Sequence, residues 1–221
     1  MGFTRRQVLA LHQSLGEHHV REDRQGNSYI EQWFVRAQLT RLFGDGNWDL
    51  EYPRPATLVS VTDRMVGRRK DEPGQNVIYV ATARLTVRSP DGEQTVVVEG
   101  SAAGEATMGV ASLGDCHDGA VKNAESYALK RAAMNLGTQF GLSLYADGSL
   151  NDVTGDLVIY PAPTDQEIVD AVAIVASLPD YDSYKGYWGW CVRVGLSTEE
   201  PVVEAFKAKA AELKKGSSQS A

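Results

Sequence analysis

The stretch "AESYALKRAAMNLGTQFGLSLY", from Ala124 to Tyr145, sets two adjacent cations, Lys130 and Arg131, within an alanine-rich run. Its periodicity predicts a helix from about Asp118 to Leu136, with Gly137 as the C-terminal stop. The small and apolar side chains of this helix gather on one arc: Val121, Ala124, Ala128, Leu129, Ala132 and Leu136. The polar arc holds Lys122, Asn123, Ser126, Lys130, Arg131 and Thr138. Alanines allow close approach, so we expect this helix to lie across a sheet.

The overall composition restricts the classes of function. The 221 residues carry a net charge of −7, which argues against nucleic-acid binding through a global positive field. No apolar run reaches the length of a membrane helix, and "TRRQVLAL" is not followed by the apolar core of a signal peptide. Cys116 and Cys191 form no metal-binding spacing. We therefore expect a cytoplasmic protein without membrane, metal or cofactor, in which any polyanion is held by a local patch.

Four strands are predicted ahead of this helix. They are "WDLEY", "TLVSVTDRMV", "NVIYVATARLTVR" and "QTVVVEG", joined as an antiparallel meander. Period-two alternation puts the third strand's polar side chains, Thr82, Arg84, Thr86 and Arg88, in one row. The second strand adds Ser60, Thr62 and Arg64 in the same alternation. Residues 54–88 hold seven Lys and Arg against three Asp and Glu, so the meander is the basic part of the chain. A solvated outer sheet face would show the same pattern.

The segments around the meander have weaker signals. Thr4 can cap a first helix, and "SYIE" at 28–31 reads as a capping box that opens a second helix ending near Gly44. The glycine-rich segment "GSAAGEATMGVASLGDCHDG" at 100–119 has neither phosphate-loop nor dinucleotide-fold spacing, and we interpret it as a pliable connector. Cys116, His117 and Asp118 are adjacent in sequence, an arrangement that rarely converges on one catalytic point.

A linker-like stretch after Tyr145 separates a small helical appendage. "TDQE" at 164–167 predicts a capping box, and a later helix begins with Ser197 or Thr198 as cap and ends at Gly216. The five aromatics between these helices can form a core, stack bases or bind a partner. We divide the chain into a domain at 1–155, an appendage at 156–216 and a disordered tail at 217–221.

Two long motifs resemble a known family. "YIEQWFVRAQLTRLFGDGNW" comes first and "KNAESYALKRAAMNLGTQFGLSLY" follows the meander and the connector, in the order and with the spacing of the Rad52 family's annealing domain. The resemblance covers roughly residues 25–148, and in this region the chain is similar to the phage or bacterial type of the family. It implies an α+β fold in which an antiparallel β-meander of three to four strands packs against a long helix, preceded by helices. It also implies assembly into rings or helical filaments, and single-stranded DNA held by its backbone.

The resemblance further implies ATP-independent annealing of complementary strands in recombination or repair, without a cofactor. By position, Lys122, Lys130 and Arg131 match the family's backbone-binding cations, and we add Ser126, Arg36, Arg64 and Arg84 as candidate DNA-binding residues. Two residues depart from the family pattern. Met134 stands where an arginine is frequent, and Phe34 where a basic residue can follow the first motif. Arg36 can replace that charge but not necessarily its direction. We expect the cations of the helix to face the sheet's row of Thr and Arg, so that cations and hydroxyls together hold a strand by its backbone.

Two other functions share these observations. A DNA-end protection protein would bind single strands without annealing them, and a metal-dependent nuclease would degrade them. The sequence shows no carboxylate or histidine cluster at ligand spacing, so we expect no enzyme activity. A single-strand-binding protein or a recombinase remains open as a protein partner.

Overall fold

A computed structural model describes residues 3–23, 26–146, 148–153 and 161–218, with side chains up to residue 214. Contacts divide the chain into two compact units, Met1–Val153 and Thr154–Ala221. We call them the N-terminal and C-terminal units. The predicted linker around residue 155 lies outside the described residues and stays a prediction. Of the predicted disordered tail at 217–221, residues 217 and 218 are helical, and residues 219–221 lie outside the described residues.

The N-terminal unit begins with two helices separated by a small hairpin. Helix α1 (Arg5–Leu11) starts at a Thr4 capping box, as predicted. Strands β1 (Val20–Glu22) and β2 (Ser28–Ile30) then pair antiparallel, and α2 (Gln32–Phe43) follows. The prediction that "SYIE" caps a helix is therefore wrong, because these residues form β2 and its end. Pairing with Val20 and complete burial of Ile30 outweigh the local capping signal.

The meander forms a four-stranded antiparallel sheet. Its strands are β3 (Trp48–Glu51), β4 (Thr57–Val66), β5 (Glu72–Arg88) and β6 (Thr95–Gly109). β5 is central, with β3 and β4 along one side and β6 along the other. The odd-numbered residues of β5 from Val77 to Val87 point to the core, and the even-numbered residues line the opposite face, which we call the outer face.

The glycine-rich segment after residue 100 is not a connector. Residues 100–109 continue β6, and helix α3 (Leu113–Met134) begins after one short 3-10 turn. The glycines occur where α3 crosses the strand. A Cβ at Gly100 would lie 2.3 Å from the Ala132 nitrogen, and one at Gly104 would lie 2.1 Å from the Ala124 nitrogen. These glycines, which we interpreted as a sign of a pliable segment, instead allow the helix to pack closely on the strand.

Helix α3 covers the core face of the sheet with small side chains. Its buried residues are Cys116, Ala120, Ala124, Ala128, Leu129, Ala132 and Ala133. It begins about five residues earlier than predicted and ends at Met134 rather than Leu136. Thr138, which was predicted on the polar arc, lies beyond the helix and is buried with its hydroxyl bonded to Asp152. A 3-10 turn (Thr138–Phe140) and helix α4 (Leu142–Ala146) follow. The core of this unit also includes Phe34, Val35, Leu39 and Phe43 from α2.

The described part of the C-terminal unit contains three α-helices, α5 (Asp165–Ser177), α6 (Tyr181–Arg193) and α7 (Glu200–Ser218). The predicted capping box of α5 is present, with Thr164 and Glu167 bonded reciprocally. Gly216 does not end α7, which runs to Ser218. Three of the five aromatics of α6 form a core. The rings of Tyr184, Tyr187 and Trp188 surround buried Phe206 at centroid distances of 5.2, 6.0 and 4.8 Å, whereas Tyr181 is exposed.

The architecture is the predicted α+β fold. An antiparallel meander packs against one long helix, helices precede the sheet, and a helical unit follows it. The four predicted strands are all present, although β5 and β6 are longer than expected.

Candidate nucleic-acid interface

The polar side of α3 faces away from the sheet, because its alanine side is fixed against Gly100 and Gly104. Lys122, Ser126 and Lys130 follow one another at intervals of one helical turn and therefore lie along one stripe. Arg131 is adjacent to Lys130, on the side of α3 that overhangs β6. The structure thus brings four of the predicted residues onto one helix surface.

Lys130 is the least exposed cation of this stripe. Its ammonium lies 4.6 Å from the centre of the Tyr127 ring and 5.3 Å from the centre of the Tyr29 ring, within cation–π range of both. Tyr127 precedes Lys130 by three residues on α3, and Tyr29 comes from β2. Burial lowers the pKa of Lys130 from its usual value, and the nearby charge of Glu31 opposes this shift. The lysine is therefore held in a partly dehydrated position between two aromatic rings.

Arg131 is exposed but anchored. Its guanidinium donates a hydrogen bond of 2.9 Å to the backbone carbonyl of Ser101 in β6. This single bond uses one of the five donors that a guanidinium carries, so other N–H groups remain for a ligand. The bond fixes the direction of the side chain across the edge between α3 and β6.

Lys130 and Arg131 line one cavity of about 750 Å³ between α3, β6 and the β1–β2 hairpin. We call this cavity the α3 groove. Three tyrosines contribute to its wall, Tyr29, Tyr127 and Tyr145, together with Ala102, Ala103 and Met134. Its hairpin side is formed by Asp23, Asn27 and Ser28. The groove therefore combines two cations with a mainly aromatic and small-residue wall.

Lys122 and Ser126 lie on the same stripe but have partners of their own. The Lys122 ammonium is 2.5 Å from the carboxylate of Asp118, and this exposed contact raises the pKa of Lys122. The Ser126 hydroxyl donates to the side-chain oxygen of Gln32 at the start of α2. A ligand at Lys122 must therefore compete with Asp118.

Arg36 lies on the exposed side of α2, beside the hydroxyl of Tyr52. That hydroxyl also approaches the backbone carbonyl of Glu125 at 3.4 Å, which connects α2 and α3 through Tyr52. Burial raises the pKa of Tyr52, as does the charge of Glu125, whereas Arg36 lowers it. Phe34, two residues earlier, is buried and stacks on His19 at a centroid distance of 4.1 Å. The residue at this departure from the family pattern is thus a core residue.

Arg64 and Arg84 lie on the outer face, opposite the face that α3 covers. Pairing places Arg84 against Glu99, and the two side chains form an ion pair at 2.7 Å. Arg64 is paired with Gly74 in the register and is exposed. The expectation that the helix cations face the sheet's Thr and Arg row is therefore wrong. The small-residue face of α3 packs on the sheet, so its polar side chains point the other way.

Sequence reasoning missed the tyrosines of the groove. Tyr127 could have been found, because it lies three residues before Lys130 on the same helix face. Tyr29 and Tyr145 reach the groove only through tertiary packing of the hairpin and α4. No local pattern in the sequence indicates that contact.

The described residues contain no group of three or more His, Cys, Asp or Glu that could hold a metal ion. Within the same part of the chain, no helix is long and apolar enough to cross a lipid bilayer. Cys116 is buried, with its thiol directed at the carbonyls of Ala106 and Gln75, at 3.4 and 3.6 Å. His117 contacts the Tyr79 hydroxyl through Nδ1 at 2.9 Å.

Comparison with known protein families supplies the remaining observation. The model of the Rad52/22 family double-strand break repair protein matches residues 5–156. The chain belongs to this family. The match includes α1, both sheets, α3 and the whole α3 groove. Membership in the Rad52/22 family supports a role in recombination and repair of double-strand breaks. No curated protein sequence matches the chain.

Proposed function

We propose that this Rad52/22 family protein binds single-stranded DNA by its backbone and anneals complementary strands without ATP. The observation that carries the proposal is the placement of Lys130 and Arg131 side by side in the α3 groove. Both cations open into one concave surface, and Arg131 is fixed by its bond to Ser101. A DNA backbone in the groove would receive charge-assisted hydrogen bonds from these side chains.

The chemistry of annealing favours this arrangement. Strands that are to pair must be held by phosphate or sugar while their base edges stay free. Lysine and arginine bind phosphate without reading sequence, and Ser126 adds a hydroxyl on the adjacent turn. The tyrosine rings nearest to Lys130 are engaged with its ammonium. The groove therefore favours backbone contacts over base recognition.

The protein also needs a way to bind a polyanion despite its net charge of −7. A single groove with two cations binds DNA only weakly, because salt screens each phosphate contact. We propose that the protein forms a homo-oligomer, as a ring or helical filament, in which neighbouring grooves bind one strand together. Electron microscopy and light scattering with and without single-stranded DNA test this assembly. A monomeric mass under both conditions would contradict it.

We propose further that the protein has no enzymatic activity. The one adjacent Cys–His pair in the N-terminal unit, Cys116 and His117, is occupied by structural contacts. The buried Cys116 thiol points to backbone carbonyls, and His117 is bonded to Tyr79. Buried thiols of this kind are generally inert.

The test is an annealing assay in which fluorescence monitors the pairing of two complementary labelled oligonucleotides. We expect the protein to accelerate pairing in the absence of ATP and Mg²⁺. The double variant Lys130→Ala, Arg131→Ala should lose this acceleration. Lys207→Ala, which removes one charge from the C-terminal unit, should keep it. Binding without acceleration would instead identify an end-protection protein, and loss of labelled DNA with Mg²⁺ or Mn²⁺ would identify a nuclease.

A further inference from the structure

Tyr127 has a place in the α3 groove that the proposed DNA contacts do not explain. Its side chain is 45% exposed, although it lies next to the buried alanine face of α3. Its ring lies under the ammonium of Lys130 at 4.6 Å, closer than the Tyr29 ring at 5.3 Å. An exposed aromatic ring on a helix is ordinary, but here its face is occupied by a cation of the proposed binding site.

We propose that Tyr127 is a positioning residue that holds the Lys130 side chain at the groove for a DNA phosphate. This inference rests on the proposed function, since it concerns the cation that function assigns to the strand. Tyr127 acts through Lys130 and makes no required contact with the DNA itself.

Conformational entropy is the first reason. A free lysine side chain carries about 2 kcal/mol of rotamer entropy, which binding must otherwise remove. Contacts with the rings of Tyr127 and Tyr29 restrict that freedom before the strand arrives. A side chain ordered in advance binds its ligand with a smaller entropic penalty.

Hydration is the second reason. Lys130 is half-buried beside the two rings, so its ammonium contacts less water than an exposed lysine, and this burial lowers its pKa. The rings replace that water by the negative face of the π-system and keep the ammonium charged. A phosphate that binds Lys130 therefore displaces less water than one that binds the exposed Lys122, which is already paired with Asp118.

The C-terminal unit supplies a matched control. Tyr181 is 50% exposed on α6, and the ammonium of Lys185 lies over its ring at 4.8 Å. The two tyrosines have similar exposure and similar distances to their lysines, but Lys185 is exposed and the Tyr181–Lys185 pair lies outside the groove. Removing its ring should not change DNA binding.

The experiment is a double-mutant cycle on the full chain, read as affinity for a labelled oligo(dT) strand. Tyr127→Leu and Tyr127→Gln both remove the ring and suit a helix. Each should weaken binding by about 3-fold to 10-fold. Tyr127→Phe keeps the ring and should bind within about twofold of the wild type. Tyr181→Leu should equal the wild type. In the Lys130→Ala background, Tyr127→Leu should cause no further loss.

Each contrary outcome has a distinct meaning. Wild-type affinity in both ringless variants would overturn the inference, and so would a loss in Tyr127→Phe equal to that in Tyr127→Leu. A loss that persists in the Lys130→Ala background would show that Tyr127 contacts DNA directly, which also overturns it. If Lys130→Ala itself binds like the wild type, the assignment of Lys130 in the proposed function fails, and the positioning role fails with it. Light scattering and thermal unfolding of each variant verify assembly and folding.

Discussion

Gly104 of β6 lies directly beneath Ala124 of α3, where a Cβ on the glycine would come within 2.1 Å of the Ala124 nitrogen. The same Cβ would lie 2.6 Å from the Ala120 carbonyl oxygen. This close approach sets the distance between helix and sheet. It also determines which side of α3 is free to carry Lys130 and Arg131, so the groove depends on a glycine outside it.

We expect Gly104→Ala to destabilise the N-terminal unit by about 1–3 kcal/mol or more, because the obstructing atoms are backbone and cannot rotate away. The control is Gly114→Ala, also at a residue of α3, where nothing lies within 4 Å of an added Cβ. That change should leave stability unchanged or raise it by up to about 1 kcal/mol. Urea unfolding measures both variants, and equal midpoints would contradict the packing argument.

Arg84→Ala tests the contribution of the outer face. Arg84 is neutralised by Glu99 at 2.7 Å, whereas Lys130 and Arg131 line the groove. We therefore expect Arg84→Ala to reduce the affinity for single-stranded DNA less than Lys130→Ala does. Fluorescence anisotropy with one oligonucleotide and one salt concentration gives the comparison. A larger loss of affinity for Arg84→Ala would place the strand on the outer face.

Stability should depend on pH through His19. Burial lowers the pKa of His19 below its usual 6.5, and the charges of His18, Arg21 and Arg41 act in the same direction. Between the lowered pKa and 6.5, the unfolded chain binds a proton that the folded chain does not. The free energy of unfolding should therefore fall as the pH decreases below about 6.5. His19→Gln should show a weaker fall in thermal unfolding experiments, and an identical pH profile would contradict this role.

A chain that ends near residue 155 should still bind single-stranded DNA. All residues of the α3 groove belong to the N-terminal unit, and the family match ends at residue 156. Circular dichroism and light scattering should first establish that the shortened protein folds and assembles. Loss of binding in a protein that passes both measurements would mean that the strand-binding site lies elsewhere.

The order of the helices and strands could be predicted from the sequence, but the residues at which each begins and ends could be predicted less well. Alternation in β5 and the alanine arc of α3 are strong periodic signals, and both elements are present. The capping signal at Ser28 failed because burial of Ile30 and pairing with β1 stabilise a strand there. Gly100 and Gly104 were misread because a glycine that permits close packing looks the same in sequence as one that permits flexibility.

The candidate site was predictable only in part. The adjacent cations of α3 were evident from helical spacing, and the structure brings both into one groove. The position of these cations relative to the Thr and Arg row of the sheet could not be predicted, because it depends on which face of the sheet the helix covers. Nor could the ion pair between Arg84 and Glu99, which requires the register of β5 and β6. These features arise from pairing between segments that are distant in sequence.

The most direct test of the account is the salt dependence of single-stranded DNA binding by Lys130→Ala. Removing one phosphate-binding cation, as in Lys130→Ala, should reduce the slope of log affinity against log salt by roughly 0.7. The double variant Lys130→Ala, Arg131→Ala should reduce this slope by roughly 1.4. Lys130→Ala should keep its oligomeric mass, and its affinity should decrease equally for unrelated DNA sequences. Lys207→Ala should keep the wild-type slope. An unchanged slope for Lys130→Ala in an intact oligomer would remove Lys130 from the DNA site and contradict the account.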